Sequence, residues 1–238
     1  AFEQYKNVRV NLGLNASYDD LKTLTSASES LKNQSGTFNE LSASYGFGYD
    51  LRDRSFMPTS GSYTSFGQSL PIYADKKFIS NTFTRSVYKS FSEDFIGSAK
   101  FFASSINGIG PDDVRLSKRR NLSTSRLRGF ESGKIGPVDG NDHIGGNYAT
   151  SLNFETSLPN LIPENYKADA NLFIDFGNVW GVDYSNSIDD SSKLRSSAGA
   201  NVNWISPIGP ISFIFSQNIA KADTDVTQSF NFNLGTTF

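Results

Sequence analysis

Phe230-Asn-Phe-Asn-Leu-Gly-Thr-Thr-Phe238 is the stretch that decides the fold class. Side chains of a strand alternate between the two faces of its sheet. Phe230, Phe232, Leu234 and Phe238 therefore share one face, and Asn231, Asn233, Gly235 and Thr237 share the other. On a soluble protein, a terminal strand with a bare aromatic face invites edge pairing. In a transmembrane barrel the same alternation is required, because one face meets lipid and the other a wet lumen. The expectation is an all-β, antiparallel transmembrane β-barrel.

Working back from this stretch, ten strand-like segments can be read: about 6–18, 38–50, 62–72, 77–90, 95–105, 146–158, 168–180, 193–205, 211–219 and 227–238. Each meets or exceeds the roughly 9–11 residues that a tilted membrane strand needs. The first places Val8, Val10, Leu12, Leu14, Ala16 and Tyr18 outward, and the second Leu41, Ala43, Tyr45, Phe47 and Tyr49. Leu152, Phe154 and Leu158 face outward in another, as do Leu172, Ile174 and Phe176 in the next. In 193–205, Ala198, Ala200, Val202 and Trp204 point out, against Arg195, Ser197, Gly199, Asn201 and Asn203 inward. Segments 62–72 and 77–90 alternate poorly. A soluble β-sandwich produces a similar alternation and stays open on periodicity alone.

Composition fits a barrel. Only 37% of the 238 residues are hydrophobic; half of each barrel strand faces water, so this polarity is no objection. No apolar run approaches the roughly 20 residues of a membrane helix. The net charge of -2 gives no field that would draw nucleic acid. The chain has no cysteine, which excludes disulfides and thiolate metal sites. Its one histidine, His143, lies in a glycine-rich loop and reads as solvated; no catalytic residue, metal or cofactor is expected. Ala1 opens the chain without a signal peptide, so a portion of a longer, exported protein is expected.

Ser92-Glu-Asp94 and Ser206-Pro-Ile-Gly-Pro210 read as tight turns, while 19–36, 107–145 and 181–192 are long and polar. Bacterial barrels join strands by short periplasmic turns and long outer loops, so a periplasmic C-terminus, which is expected, puts these long segments outside; 51–61 is long for a turn and 73–76 short for a loop. Lys118-Arg119-Arg120 reads as a solvated face of the longest loop, with contact to anionic lipid as the alternative. Tyr148, Trp180 and Trp204 sit near strand ends and suit interfacial girdles.

Motifs in order carry a resemblance: Asp53-Arg54-Ser-Phe-Met-Pro58-Thr59-Ser-Gly61, Leu127-Arg128-Gly129-Phe130, Gly145-Gly146-Asn147, Phe173-Ile-Asp175, Ser197-Ala-Gly199, Trp204-Ile-Ser-Pro-Ile-Gly-Pro210 and the terminal Phe238. From about residue 38 to 238 the chain resembles the BamA family of outer-membrane protein assembly factors. That resemblance implies periplasmic POTRA repeats followed by a barrel of about sixteen strands. Residues 1–238 would then be the C-terminal portion of the barrel, with the POTRA repeats and first strands absent.

The resemblance implies a set of site residues. The long loop, about 107–145, folds into the lumen and docks Leu127, Arg128, Gly129 and Phe130 on inner-wall partners Glu155, Phe173 and Asp175. An arginine between two carboxylates makes bidentate, charge-assisted hydrogen bonds. By residue type alone, Arg128 reads instead as a solvated loop cation and Glu155 as an ordinary lumen carboxylate. Phe230, Phe232, Leu234, Gly235 and Phe238 resemble a terminal strand at a lateral seam, with Gly235 at an inward kink.

The function implied is catalysed folding and insertion of other β-barrel proteins, without covalent chemistry. Unfolded outer-membrane proteins, accessory assembly lipoproteins, periplasmic chaperones and outer-membrane lipids would be the partners, at the outer membrane of a Gram-negative bacterium. A TamA-like or two-partner-secretion translocation pore is the alternative, and a passive porin a third.

Overall fold

The computed structural model describes residues 6–55, 57–207 and 209–234. The elements in chain order are β1 (Val8–Leu21), α1 (Glu29–Lys32), β2 (Gly36–Asp50), β3 (Gly61–Ala74), β4 (Phe78–Ser92), β5 (Phe95–Gly108), β6 (Val138–Asp139), β7 (Asp142–His143), β8 (Tyr148–Leu158), β9 (Ala168–Trp180), β10 (Arg195–Ser206), β11 (Gly209–Ala220) and β12 (Phe230–Leu234). Ten strands form one antiparallel sheet in the order β1-β2-β3-β4-β5-β8-β9-β10-β11-β12, so each main strand pairs with its chain neighbours. The small β6–β7 hairpin lies within the longest connection. Each of the ten expected segments is a strand of this sheet. The last is the most shortened: 227–229 lie before β12, and Gly235 and Phe238 fall outside the described residues. Among the described residues β1 and β12 each have a single sheet neighbour, so the described sheet is a barrel wall left open at both ends.

Apolar residues meet across strands on the outer face. Phe47 pairs with Phe66, Phe66 with Phe83, Phe213 with Phe232 and Phe215 with Phe230. Leu12 and Leu14 are 83% and 76% exposed, the level expected where lipid is the solvent. Tyr148 stacks on Trp180 at one rim with centroids 5.6 Å apart, and Trp204 lies partly exposed toward the other.

The weak alternation of β3 and β4 has a local cause. Tyr45 Oη donates to Gln68 Oε1 (2.7 Å), Gln68 Nε2 to Asn81 Oδ1 (2.6 Å) and Asn81 Nδ2 to Ser105 Oγ (3.3 Å). By register these four share the outer face with the phenylalanines. Polar groups facing lipid are tolerated when they satisfy one another, so hydropathy fails while the strand persists. Pro71 adds a second irregularity: the β2–β3 register shifts between Leu41 and Ser42, where Pro71 has no N–H for the ladder.

The inner face is covered in part by residues 109–147. Leu122, Leu127, Phe130 and Ile135 from this loop pack against Phe102, Ala149 and Val179 of the wall, all nearly or fully buried. Each large apolar side chain so buried contributes about 1.5–3 kcal/mol. The hydrophobic core of this barrel portion is thus made by a loop packed on a few inward apolar residues of a wall that turns most of its apolar side chains outward.

Candidate functional site

Arg128 is brought to the inner wall by the apolar residues beside it. Leu127 and Phe130 are 1% and 2% exposed, and their burial leaves the arginine over β8, β9 and β10. Its Nε and Nη2 donate to Asp175 Oδ2 and Oδ1, each at 2.7 Å, and its backbone N–H reaches Asp175 Oδ2 at 3.1 Å. Nη1 donates to Glu155 Oε2 at 2.5 Å, and the guanidinium lies 3.6 Å from the Phe173 ring centroid. Asp175 is fully buried, and Glu155 is partly covered. One cation therefore meets two carboxylates and an aromatic face, the combination that suits a planar guanidinium.

The backbone is fixed as tightly. Ser197 Oγ donates to the Arg128 carbonyl at 2.5 Å, and Asn153 Nδ2 to the Arg126 carbonyl at 2.8 Å. Gly129 has φ +88°, and a Cβ there would lie 3.1 Å from Ser197 and 3.2 Å from Asn218. Both the turn and the close approach to the wall favour glycine. At Gly199 a Cβ would collide with the Phe215 carbonyl oxygen and lie 2.8 Å from the Phe173 ring, so the missing side chain makes room for both the neighbouring strand and the ring beneath Arg128.

The structure brings together all seven residues expected at the docking site: Leu127, Arg128, Gly129 and Phe130 on the loop, and Glu155, Phe173 and Asp175 on the wall. Phe230, Phe232 and Leu234 lie apart from them, exposed on the outer face of β12. Sequence reasoning missed Asn153, and it placed Ser197 inward within the Ser197-Ala-Gly199 motif without giving it a role at the latch. Both occupy inward strand positions, and a hydroxyl or amide there has no distinctive spacing.

The loop has further moorings, and one expectation is corrected. Lys118-Arg119-Arg120 is no solvated face. The Arg119 side chain is fully buried; it pairs with Asp183 and donates to Asn147 Oδ1 and the Val114 carbonyl, each at 2.9 Å. Lys118 Nζ lies 2.8 Å from Glu40 Oε2, and Arg120 Nη2 donates to Ser80 Oγ. Arg115 donates to Asp19 Oδ2 at 2.9 Å and stacks over Phe38 at 4.4 Å. A basic run reads as solvated only while its partners are unknown, and the side chains that hold this one lie from 28 residues away upward. Arg120 also pairs through its backbone with Gly146 of the Gly145-Gly146 motif. His143 is half-buried, with Nε2 2.9 Å from the Thr224 carbonyl, and does not stand free in solvent.

Burial pushes the Asp183 carboxyl up, but the Val114 N–H, the Asn147 amide and Arg119 outweigh it, leaving a net shift below the usual carboxylate value. Burial and a 2.9 Å hydrogen bond to Asp139 raise the Tyr184 phenol. In the turn before β3, the Thr59 hydroxyl and the Thr59 and Ser60 N–H groups hold Asp53 down at about 2. On the turn side of Arg128 the lumen keeps a cavity of about 480 Å³, lined in part by Arg52, Lys100, Glu155, Asn171 and Asn203.

The fold and the site define a class: an antiparallel membrane-barrel wall with a polar inner face and an arginine-latched loop inside it. Comparison with known proteins gives the family. The model of the Omp85 superfamily domain matches residues 1–238, and the chain belongs to that superfamily. It is similar to the outer membrane protein assembly factor BamA of Neorickettsia risticii, 29% identical across 98% of this chain and 32% of that protein. It is also similar to BamA of Neisseria meningitidis, 30% identical over 47% of this chain and 17% of that protein. A SAM50-like protein of Schizosaccharomyces pombe is 26% identical over 84% of this chain and 45% of its own length. The crystal structure of BamA from Haemophilus ducreyi lacking POTRA domains 1–3 superposes with a TM-score of 0.85 at 26% identity, over 95% of this chain and 51% of that one. The chain thus spans about a third of the length of the first of these relatives.

Proposed function

We propose that this chain is part of an outer-membrane protein assembly factor that promotes folding and insertion of other β-barrels. The observation that carries this is the lumen loop. A buried Arg128 held by Asp175 and Glu155 keeps that loop inside the wall, an arrangement that obstructs passive flow. Similarity to proteins named as assembly factors, across nearly the whole chain, supports the same reading. No bond of the substrate would be broken. The work would come from a strand edge that templates an incoming strand by main-chain hydrogen bonds at a lateral seam. β12 presents such an edge among the described residues. Partners would be unfolded outer-membrane proteins, periplasmic chaperones, accessory lipoproteins and membrane lipids, with the short turns toward the periplasm.

The test uses the natural full-length protein in liposomes. The folding rate of a urea-denatured outer-membrane barrel is followed for wild type and Arg128→Ala. Acceleration by wild type that the variant loses supports assembly with a docked loop. Absence of acceleration, with conductance through wild-type liposomes, would replace this reading with a translocation pore.

A further inference from the structure

The inner loop touches the chain again just before the terminal strand. The β11–β12 ladder runs from Ile211 opposite Leu234 to Phe215 opposite Phe230, and Ser216 N–H still reaches the Ser229 carbonyl at 2.8 Å. There β12 leaves the sheet although β11 continues to Ala220. The chain ahead of β12 pairs instead with the loop. Gln228 N–H donates to the Gly129 carbonyl, Glu131 N–H to the Val226 carbonyl and Val226 N–H to the Lys134 carbonyl, each at 3.0 Å. Phe130 and Thr227 are bridge partners. Asn218 Nδ2, on the vacated stretch of β11, donates to the same Gly129 carbonyl at 2.8 Å.

A second ion pair holds this segment from the other side. Arg195 Nε and Nη2 donate to Asp225 Oδ2 and Oδ1, each at 2.9 Å, and both side chains are almost completely buried. Arg195 Nη1 also donates to Asn178 Oδ1 at 2.7 Å, and Asp225 accepts the Ala222 N–H. The same strand, β10, supplies Ser197 to the Arg128 carbonyl. Two residues apart on β10, one side chain therefore holds the loop and the other holds the approach to the terminal strand.

We propose that docking of the Arg128 loop and the length of the paired terminal strand are one coupled equilibrium, with Arg195 and Asp225 as its positioning residues. With the loop docked, residues 226–228 are held by 129–134 and cannot extend β12 along β11. With the loop released, they are free to continue the ladder opposite the vacated end of β11. Each site is thereby linked to the other, and the linkage is reciprocal by thermodynamic necessity. This goes beyond the assembly reading and does not rest on it, since the coupling is measured without any substrate.

The experiment is amide hydrogen exchange on the natural full-length protein in lipid nanodiscs, comparing wild type, Asp225→Asn, Arg128→Lys and the double variant. Asp225→Asn is expected to raise exchange in 129–134, remote in sequence, by about tenfold, a usual size for coupling between sites. Arg128→Lys is expected to raise exchange in 226–228 by the same factor, and the double variant to add little. Changes confined to each variant's own segment would overturn the proposal, as would fully additive effects. If either variant loosens the whole sheet, Asn218→Ala decides, because it removes only one bond to the Gly129 carbonyl. A rise in both segments then supports the coupling, and no change in 226–228 refutes it.

Discussion

The inner faces of the two halves of the sheet differ sharply. On β8 to β10 the inward residues include Asn153, Glu155, Phe173, Asp175, Arg195, Ser197 and Asn201, most of them buried beneath the loop. On β1 to β4 the middle of the inner face is Gly13, Ser44, Gly46, Gly67, Ser69, Ser80 and Thr82, and it stays open as a shallow groove. Both halves carry the same kind of apolar outer face. Lipid therefore dictates most of the outward pattern, interrupted by the Gln68–Asn81 run, while the inner face is free to specialise. It grips the loop tip on one side; on the other its middle carries mostly small residues, and the loop is held toward its edge, by Asp19, Glu40 and Ser80.

The largest effect should come from breaking the grip. Arg128→Ala leaves Asp175 and Glu155 facing a lost cation, and removing one partner of such a buried pair costs about 3–5 kcal/mol. Urea titration of the full-length protein in detergent would show it; a loss near zero would make the loop an optional ornament of the latched half. Gly129→Ala should follow at about 1–3 kcal/mol, because a left-handed backbone would be forced on alanine. Its signature is release of the loop, measured by limited proteolysis within 109–147, while the wall stays intact.

A matched pair of serines sharpens the contrast. Ser197→Ala on the gripping side strands the Arg128 carbonyl, for about 1–3 kcal/mol. Ser65→Ala on the bare side touches nothing comparable and should stay within about 0.5 kcal/mol. Equal losses in the same titration would erase the distinction between the halves. The smallest effect is a pH response outside the membrane. Asp53 sits at about 2 against an ordinary 3.8, so its hold on the 53–60 turn is complete above 3.8 and disappears as pH falls toward 2. The Thr59 amide resonance should titrate with that lower midpoint; a midpoint at 3.8 would mean that the turn gives the carboxylate no stabilising partner.

Legibility in the sequence followed the same division. Period-two alternation marked most of the ten strands because lipid enforces it on most outward positions. Where the outward residues are Gln68 and Asn81, the alternation blurred, since their partners lie on other strands. Arg128, Glu155 and Asp175 came within reach only through ordered motifs resembling a family; nothing in residue type separates a latched arginine from a solvated one. The Arg119–Asp183 and Arg195–Asp225 pairs stayed hidden because long-range charge pairing has no local signature. Arg195 was placed on the correct face, yet its partner stands in a short loop 30 residues on.

The moorings of the loop also set the order in which the molecule can be built. The wall is joined almost entirely between chain neighbours, mostly through connections that close easily. The loop is different: Arg115 meets Asp19 across 96 residues, and Gly129 meets Asn218 across 89. Contacts of such separation pay their closure entropy only after the intervening strands are in register. The wall is therefore expected to form before the loop settles, and filling of the lumen should appear as a late phase, separable from formation of the sheet, in a folding time course that follows both.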